Sequence, residues 1–223
     1  MRIQWVALVA ATACMLYADS DTAKRLGVAA DVITEIMGAP DSGIPQDLLN
    51  KAQCVVIVPG LKKGAFIIGG KYGKGFATCR KAHGIGWSAP AAVRVEGGSF
   101  GFQIGGSETD VVMLVMNKRG MDRLLSSKFT LGADASVAAG PVGRTSSAQT
   151  DAMMTAEILT WSRSRGVFAG VALDGATLRQ DGDSDKDLYG HPMTSREILT
   201  TNVPAPPAAT RFLDALNKYS SRK

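Results

Sequence analysis

What most restricts this chain is a series of short apolar runs cut by glycine between residues 54 and 116. Cys54 to Val58 is continuous and stops at Pro59-Gly60, Ala65 to Ile68 stops at Gly69-Gly70, and Phe76 to Cys79 comes next. Val93 to Glu96 and Phe100 to Gly105 alternate, and Val111 to Met116 is wholly apolar, as a strand covered on both faces would be. Short strands at roughly ten-residue spacing with glycine turns predict an antiparallel sandwich or barrel-like core. A helix is expected at 118–127, with further strands at 135–139, 155–162 and 167–173; the middle one also reads as helix. Two helices flank this core. Residues 19–38 repeat Leu26, Ala29, Ala30, Ile33 and Ile36 at helical spacing, and 208–219 carry Phe212, Leu213, Leu216 and Tyr219. A short helical stretch at 46–52 succeeds a Pro/Gly turn. The expected class is α+β, one domain over 19–200, then a Pro-rich spacer and a short C-terminal helix over 201–223. After Asp181 the chain reads as polar.

Residues 1–18 stand apart. Arg2 precedes Ile3 to Ala18, which carry no charge, and the polar Asp19-Ser20-Asp21 comes after them. This is the pattern of a secretory signal, with an uncleaved anchor as the alternative. Cys14 loosely matches a lipoprotein cleavage site. Export to a bacterial periplasm or envelope is the expectation. There Cys54 and Cys79 would pair if their strands are neighbours; two buried small apolar side chains is the reading slightly preferred. With no CxxC, and His83 and His191 far apart, no metal site and no cofactor are expected.

Charge is the most informative functional signal. Between Asp47 and Glu96 there is no acidic residue, and Lys51, Lys62, Lys63, Lys71, Lys74, Arg80, Lys81 and Arg94 give +8. The whole chain is +5, so the remainder is −3. Hairpin ends could gather such cations on one rim facing anionic lipid, each adding ~1 kcal/mol of attraction. The candidate lipid-binding residues are Lys62, Lys63, Lys71, Lys74, Arg80 and Lys81. Lys24, Arg25, Leu61 and Phe66 are candidate membrane contacts, the first two on a helix that either lies on the domain or touches the membrane. Nucleic acid is the competing polyanion, with Phe66, Tyr72 and Phe76 among the lysines; the export signal and an aromatic content of only 6% argue against it.

Enzymatic readings fare worse. Gly97-Gly98-Ser99-Phe100-Gly101 matches a nucleophile elbow, but the residues after Ser99 alternate like a strand where a helix is needed. A serine hydrolase is the weakest alternative. Asp181 to Asp187 begins like a calcium loop, yet the sixth and twelfth positions are Lys186 and Pro192, leaving an irregular site or a solvated turn. Glu108 and Asp110 share one strand face without a partner motif. Lys74 lacks the flanking residues of a phosphate loop.

The chain resembles the SYLF domain family at Trp87-Ser88-Ala89-Pro90, Ser99 to Gly105, Thr109-Asp110, Leu131-Gly132, Ala139 to Arg144, Trp161 to Leu173 and Gly175. The resemblance spans roughly 25–190. It implies a non-enzymatic domain that binds membrane lipids, phosphoinositides in eukaryotes, and actin in some fungal members. An exported bacterial member would not meet actin, and its ligand would be anionic phospholipid or a lipopolysaccharide-type headgroup. The alternative is a structural envelope protein that meets a protein partner.

Overall fold

A computed structural model describes residues 20–39, 43–66, 68–81, 85–100, 105–141, 155–164, 167–170 and 173–220. The signal segment, Cys14 and His83 lie outside them. Nine strands form one sheet among the described residues: β1 Cys54–Phe66, β2 Ile68–Cys79, β3 Ala91–Phe100, β4 Gly105–Val115, β5 Lys128–Thr130, β6 Val137–Ala139, β7 Ile158–Ser164, β8 Val167–Gly170 and β9 Thr177–Gln180. Their order is β5-β9-β3-β2-β1-β4-β7-β6, with β8 also on β7. All pairs are antiparallel except β6 with β7.

This order requires curvature. Laid flat, the seven spacings from β5 to β6 would measure about 34 Å at ~4.8 Å each. The chain from Thr130 to Val137 spans at most about 25 Å. The sheet therefore curls into a half-barrel, and the fold is α+β with a barrel-like core and flanking helices, as expected.

Among the described residues six α-helices complete it: α1 Asp21–Gly38, α2 Gln46–Lys51, α3 Lys118–Leu124, α4 Gly182–Tyr189, α5 Ser195–Thr200 and α6 Thr210–Ser220. The continuous runs are buried on both faces. Cys54, Val56 and Val58 face an inner core with Val93, Met113, Leu178 and Leu199. Val55 and Ile57 face an outer one with Phe76, Leu114, Trp161 and the apolar sides of α1 and α6. Ser20 caps α1, its side chain accepting from the Ala23 N–H at 3.2 Å. Phe212 and Leu216 of α6 are fully buried, and the Phe212 ring lies 6.4 Å from that of Phe76. The C-terminal helix is thus built into the same unit as the sheet.

Four expectations change. The run Ala65 to Ile68 is not a strand ended by Gly69-Gly70: it spans the end of β1 and the start of β2, and both glycines pair inside β2. Pro59-Gly60 does not end a strand: β1 runs through it as a bulge, where register shifts against both neighbours. Gly60 has φ +58°, which suits glycine, and its N–H donates to Asp110 Oδ1 at 2.9 Å. The chain after Asp181 folds into α4 and α5, so the calcium-like run is the start of a helix. Cys54 and Cys79, opposite each other in register, form a disulfide, contrary to the preferred unpaired reading. It closes a separation of 25 residues. Reduction is expected to lower unfolding free energy by about 3 kcal/mol through the freed unfolded chain. Urea melts with and without reductant check this; an unchanged midpoint would contradict it.

Candidate functional site

The acid-free segment is folded as the β1–β2 hairpin and its base, and register separates its cations. Lys51 lies at the end of α2, with Arg80 and Lys81 at the end of β2. Lys71 is ten residues from Lys81, about 33 Å along a strand. The expected single rim is therefore two groups at opposite ends of the hairpin.

Within the basal group Arg80 is structural, whereas Lys51 and Lys81 are exposed. Arg80 is buried, its guanidinium 3.7 Å above the Trp87 ring. It donates to the Leu49 carbonyl at 3.1 Å and to both the carbonyl and the hydroxyl of Ser220. Trp87 Nε1 donates to the same Ser220 carbonyl at 3.2 Å. A cation there meets the negative end of α6. Arg80 thus holds the C-terminal helix and is withdrawn from the lipid-binding set.

The distal group is different. In β1 and β2, Lys62 is opposite Tyr72 and Lys63 is opposite Lys71. Lys62 and Tyr72 share the outer face with Phe76, whereas Lys63 and Lys71 share the inner face with Leu61. Tyr72 is 48% exposed and Lys62 is exposed, while Lys63 and Lys71 are half-buried. Among the described residues no carboxylate lies within ion-pairing distance of Lys62, Lys63 or Lys71. Burial, and next the charge of Lys71, hold the Lys63 ammonium below its ordinary pKa.

Lys74 has another occupation. Its Nζ lies 2.8 Å from Asp181 Oδ2, and Ser184 donates to the same oxygen at 2.7 Å. Burial pushes the Asp181 carboxyl up, but these bonds and the Lys74 charge outweigh it and hold it below the usual carboxylate range.

The membrane-contact candidates also separate. Leu61 is fully buried in the inner core, so it is not available to a bilayer. Phe66 ends β1, and its side chain lies outside the described residues. Lys24 is exposed and Arg25 half-buried on α1. The apolar side of that helix (Leu26, Ala29, Ile33, Ile36) is buried against the domain, so α1 takes the first of its two readings. No helix among the described residues is long and apolar enough to cross a membrane.

Ser99 is paired with Gly69 inside β3, so it is not on a strand-turn-helix elbow. Asp110 receives Gly60 and pairs with Arg163 at 3.3 Å, so it serves the fold. Tyr72, singled out in the sequence only as part of a base-stacking platform, joins the lysines as a site residue. Its signal is parity: two residues from Lys74 and opposite Lys62, it can be placed only once the bulge is known.

A family model described as Ysc84, Las17-binding protein actin regulator, matches residues 96–219, more than half of the chain. The chain belongs to the Ysc84 (SYLF) family. It is 34% identical over 186 residues to Protein YSC84 of Saccharomyces cerevisiae, covering 82% of this chain and 39% of that protein. LAS seventeen-binding protein 3 of the same yeast is 33% identical over 195 residues, 85% of this chain and 42% of its own length. The human SH3 domain-containing YSC84-like protein 1 is 30% identical over 184 residues, 82% and 53% respectively. This chain thus matches roughly half or less of these relatives' length. The motifs that carried the resemblance hold the Ysc84 fold together. Gly140 lies against the Trp161 indole, where an added Cβ would come within 2.1 Å of the ring, and Trp161 Nε1 donates to the Pro141 carbonyl at 2.9 Å. Ser88 Oγ accepts from the Cys79 N–H at 3.1 Å. None of these motif contacts involves the distal lysines.

Proposed function

We propose that this Ysc84-family domain is a non-catalytic module that binds anionic lipid headgroups at a bacterial envelope through the distal half of the β1–β2 hairpin. The observation that carries it is the group Lys62, Lys63 and Lys71 beside an exposed Tyr72, none of the three within ion-pairing distance of a carboxylate among the described residues, although Glu108 stands opposite Lys62 on β4. Three ammonium groups at an anionic surface contribute ~1 kcal/mol each, about 100-fold in affinity together. A tyrosine ring with an apolar body and a polar tip suits the headgroup level. The Cys54–Cys79 disulfide fits an oxidising compartment, in keeping with the uncharged 3–18 segment of a signal. Actin, named in the family description, would not be met there.

Co-sedimentation with phosphatidylcholine vesicles, with and without phosphatidylglycerol, tests this. The expected result is binding to the anionic vesicles alone, weakened by salt, about 100-fold weaker in Lys62→Ala/Lys63→Ala/Lys71→Ala and several-fold weaker in Tyr72→Ala. Absence of binding to either vesicle would refute the lipid reading. A second reading is favoured by the relatives' names, which record Las17 binding: the same lysines would then meet an acidic protein segment. Capture by an acidic peptide without vesicle binding would select it.

A further inference from the structure

The inner and outer faces of the distal hairpin carry different chemistry. Across the four central strands one inner-face row reads Gly97, Lys71, Lys63, Ser107. The corresponding outer-face row is Glu96, Tyr72, Lys62, Glu108. The outer row thus places an aromatic ring and a single cation between two carboxylates. The inner row places two lysines directly opposite each other with no charge on either side.

Like charges directly opposite on antiparallel strands repel and destabilise the pair. Here the repulsion is sharpened by partial burial, since Lys63 and Lys71 are both half-buried at the mouth of the curl, one pleat beyond the buried Leu61. The depressed Lys63 ammonium reflects that burial and the Lys71 charge facing it. Such a pair is relieved by one anion lying between the two ammonium groups. Cross-strand Cβ atoms at ~5 Å let both side chains converge on a single group at about 2.8 Å from each nitrogen. The exposed Ser107, next in the row, adds a hydroxyl donor on one side. On the other side Gly97 adds no side chain, and its backbone packs against Ala176.

We propose that Lys63 and Lys71 form a two-ammonium clamp for one phosphate monoester group, with Ser107 as a third donor. The inference rests on the headgroup reading above and narrows it. A monoester carries close to two negative charges at neutral pH and three terminal acceptor oxygens, enough for both ammonium groups and the hydroxyl. A phosphodiester offers one charge and two such oxygens, so it satisfies one lysine and leaves the other unrelieved. Lys62, on the outer face, contributes general attraction to any anionic surface and no choice between headgroups.

The test uses the full chain on phosphatidylcholine vesicles doped with phosphatidic acid, a monoester, or phosphatidylglycerol, a diester, at matched surface potential. The expected result is 5- to 10-fold tighter binding to the phosphatidic acid vesicles. Lys63→Ala and Lys71→Ala lose this preference while still binding both; Lys62→Ala weakens both equally and keeps it. Equal binding to the two vesicles would overturn the clamp and leave the lipid reading standing, whereas no binding to either would overturn both. Soluble glycerol 3-phosphate separates the sources: displacement at millimolar concentration assigns the clamp to phosphate as such, and persistence of the vesicle preference assigns it to a lipid-borne phosphate. Lys71→Glu provides a readout independent of vesicles. It turns the repelling pair into an attracting one, so the melting temperature rises by about 1–4 °C while the monoester preference disappears. A lowered melting temperature together with retained preference would refute the clamp.

Discussion

Replacing Arg80 with alanine is expected to lower the unfolding free energy by about 3–5 kcal/mol, the largest single effect expected of any charged residue among the described residues. The guanidinium is buried and gathers three elements: α2 through the Leu49 carbonyl, the loop after β2 through the Trp87 ring, and α6 through Ser220. Its removal leaves the Leu49 carbonyl without this donor, opens a void over the indole, and takes a cation from the negative end of α6. Lysine at this position would restore the charge but neither the fork of donors nor the flat stack, so Arg80→Lys should recover less than half of the loss. Urea unfolding gives the free energy. Limited proteolysis should show earliest cleavage beyond Thr210, because α6 loses its tether before the sheet loses its core. A loss under 1 kcal/mol would contradict the argument.

That residue also shows where sequence reasoning stops. The acid-free interval from 48 to 95 is plain as a charge pattern, yet pattern alone puts Arg80 beside Lys71. Two facts from elsewhere in the chain separate them: the length of the hairpin, and a helix terminus 140 residues away that needs a cation. The buried runs are legible because period is local: Cys54 to Val58 and Val111 to Val115 have no polar residue to give a strand a wet face, and both are buried on two faces. The continuation of β1 through Pro59-Gly60 is not legible, because the bulge depends on a carboxylate 50 residues distant, Asp110. The same limit hides the inner and outer faces of the distal lysines. One extra residue in the bulge inverts the parity of everything beyond it, so Leu61, read as a membrane contact, is core, and Lys62 and Lys63 point to opposite sides. Helices α4 and α5 escape for a different reason. Asp181, Asp183, Asp185 and Asp187 look like solvent-facing charge, whereas Asp181 and Asp185 are buried and tie α4 to β2 and β3.

Asp185 yields the second large effect, and its sign is opposite to that of an ordinary carboxylate. It is fully buried; Oδ1 accepts from the Ala92 N–H at 2.6 Å, and Oδ2 has no partner among the described residues. Burial pushes its carboxyl up to about 7; the Ala92 bond works against this, and the charge of Asp181 adds to it. A carboxyl raised from 3.8 in the unfolded chain binds more protons folded than unfolded, so folding is weakened as pH rises between these two values. The cost is absent below about pH 4, grows through about pH 5 and 6, and levels off above about pH 7 at about 2–4 kcal/mol. Asp181 runs the other way: its lowered carboxyl contributes stability above the usual carboxylate range that is lost in acid, below the window where Asp185 acts. An asparagine side chain at this position would keep the acceptor for Ala92 and remove the buried charge. Asp185→Asn is therefore expected to match the parent chain near pH 4.5 and to exceed it by about 2–4 kcal/mol at pH 8, whereas Asp185→Ala loses the Ala92 bond and gains less. Parallel urea curves at about pH 4.5, 6 and 8 decide it. If the asparagine variant is no more stable than the parent at the highest pH, the buried carboxylate has found a compensating partner and the Asp185 charge does not weaken the fold.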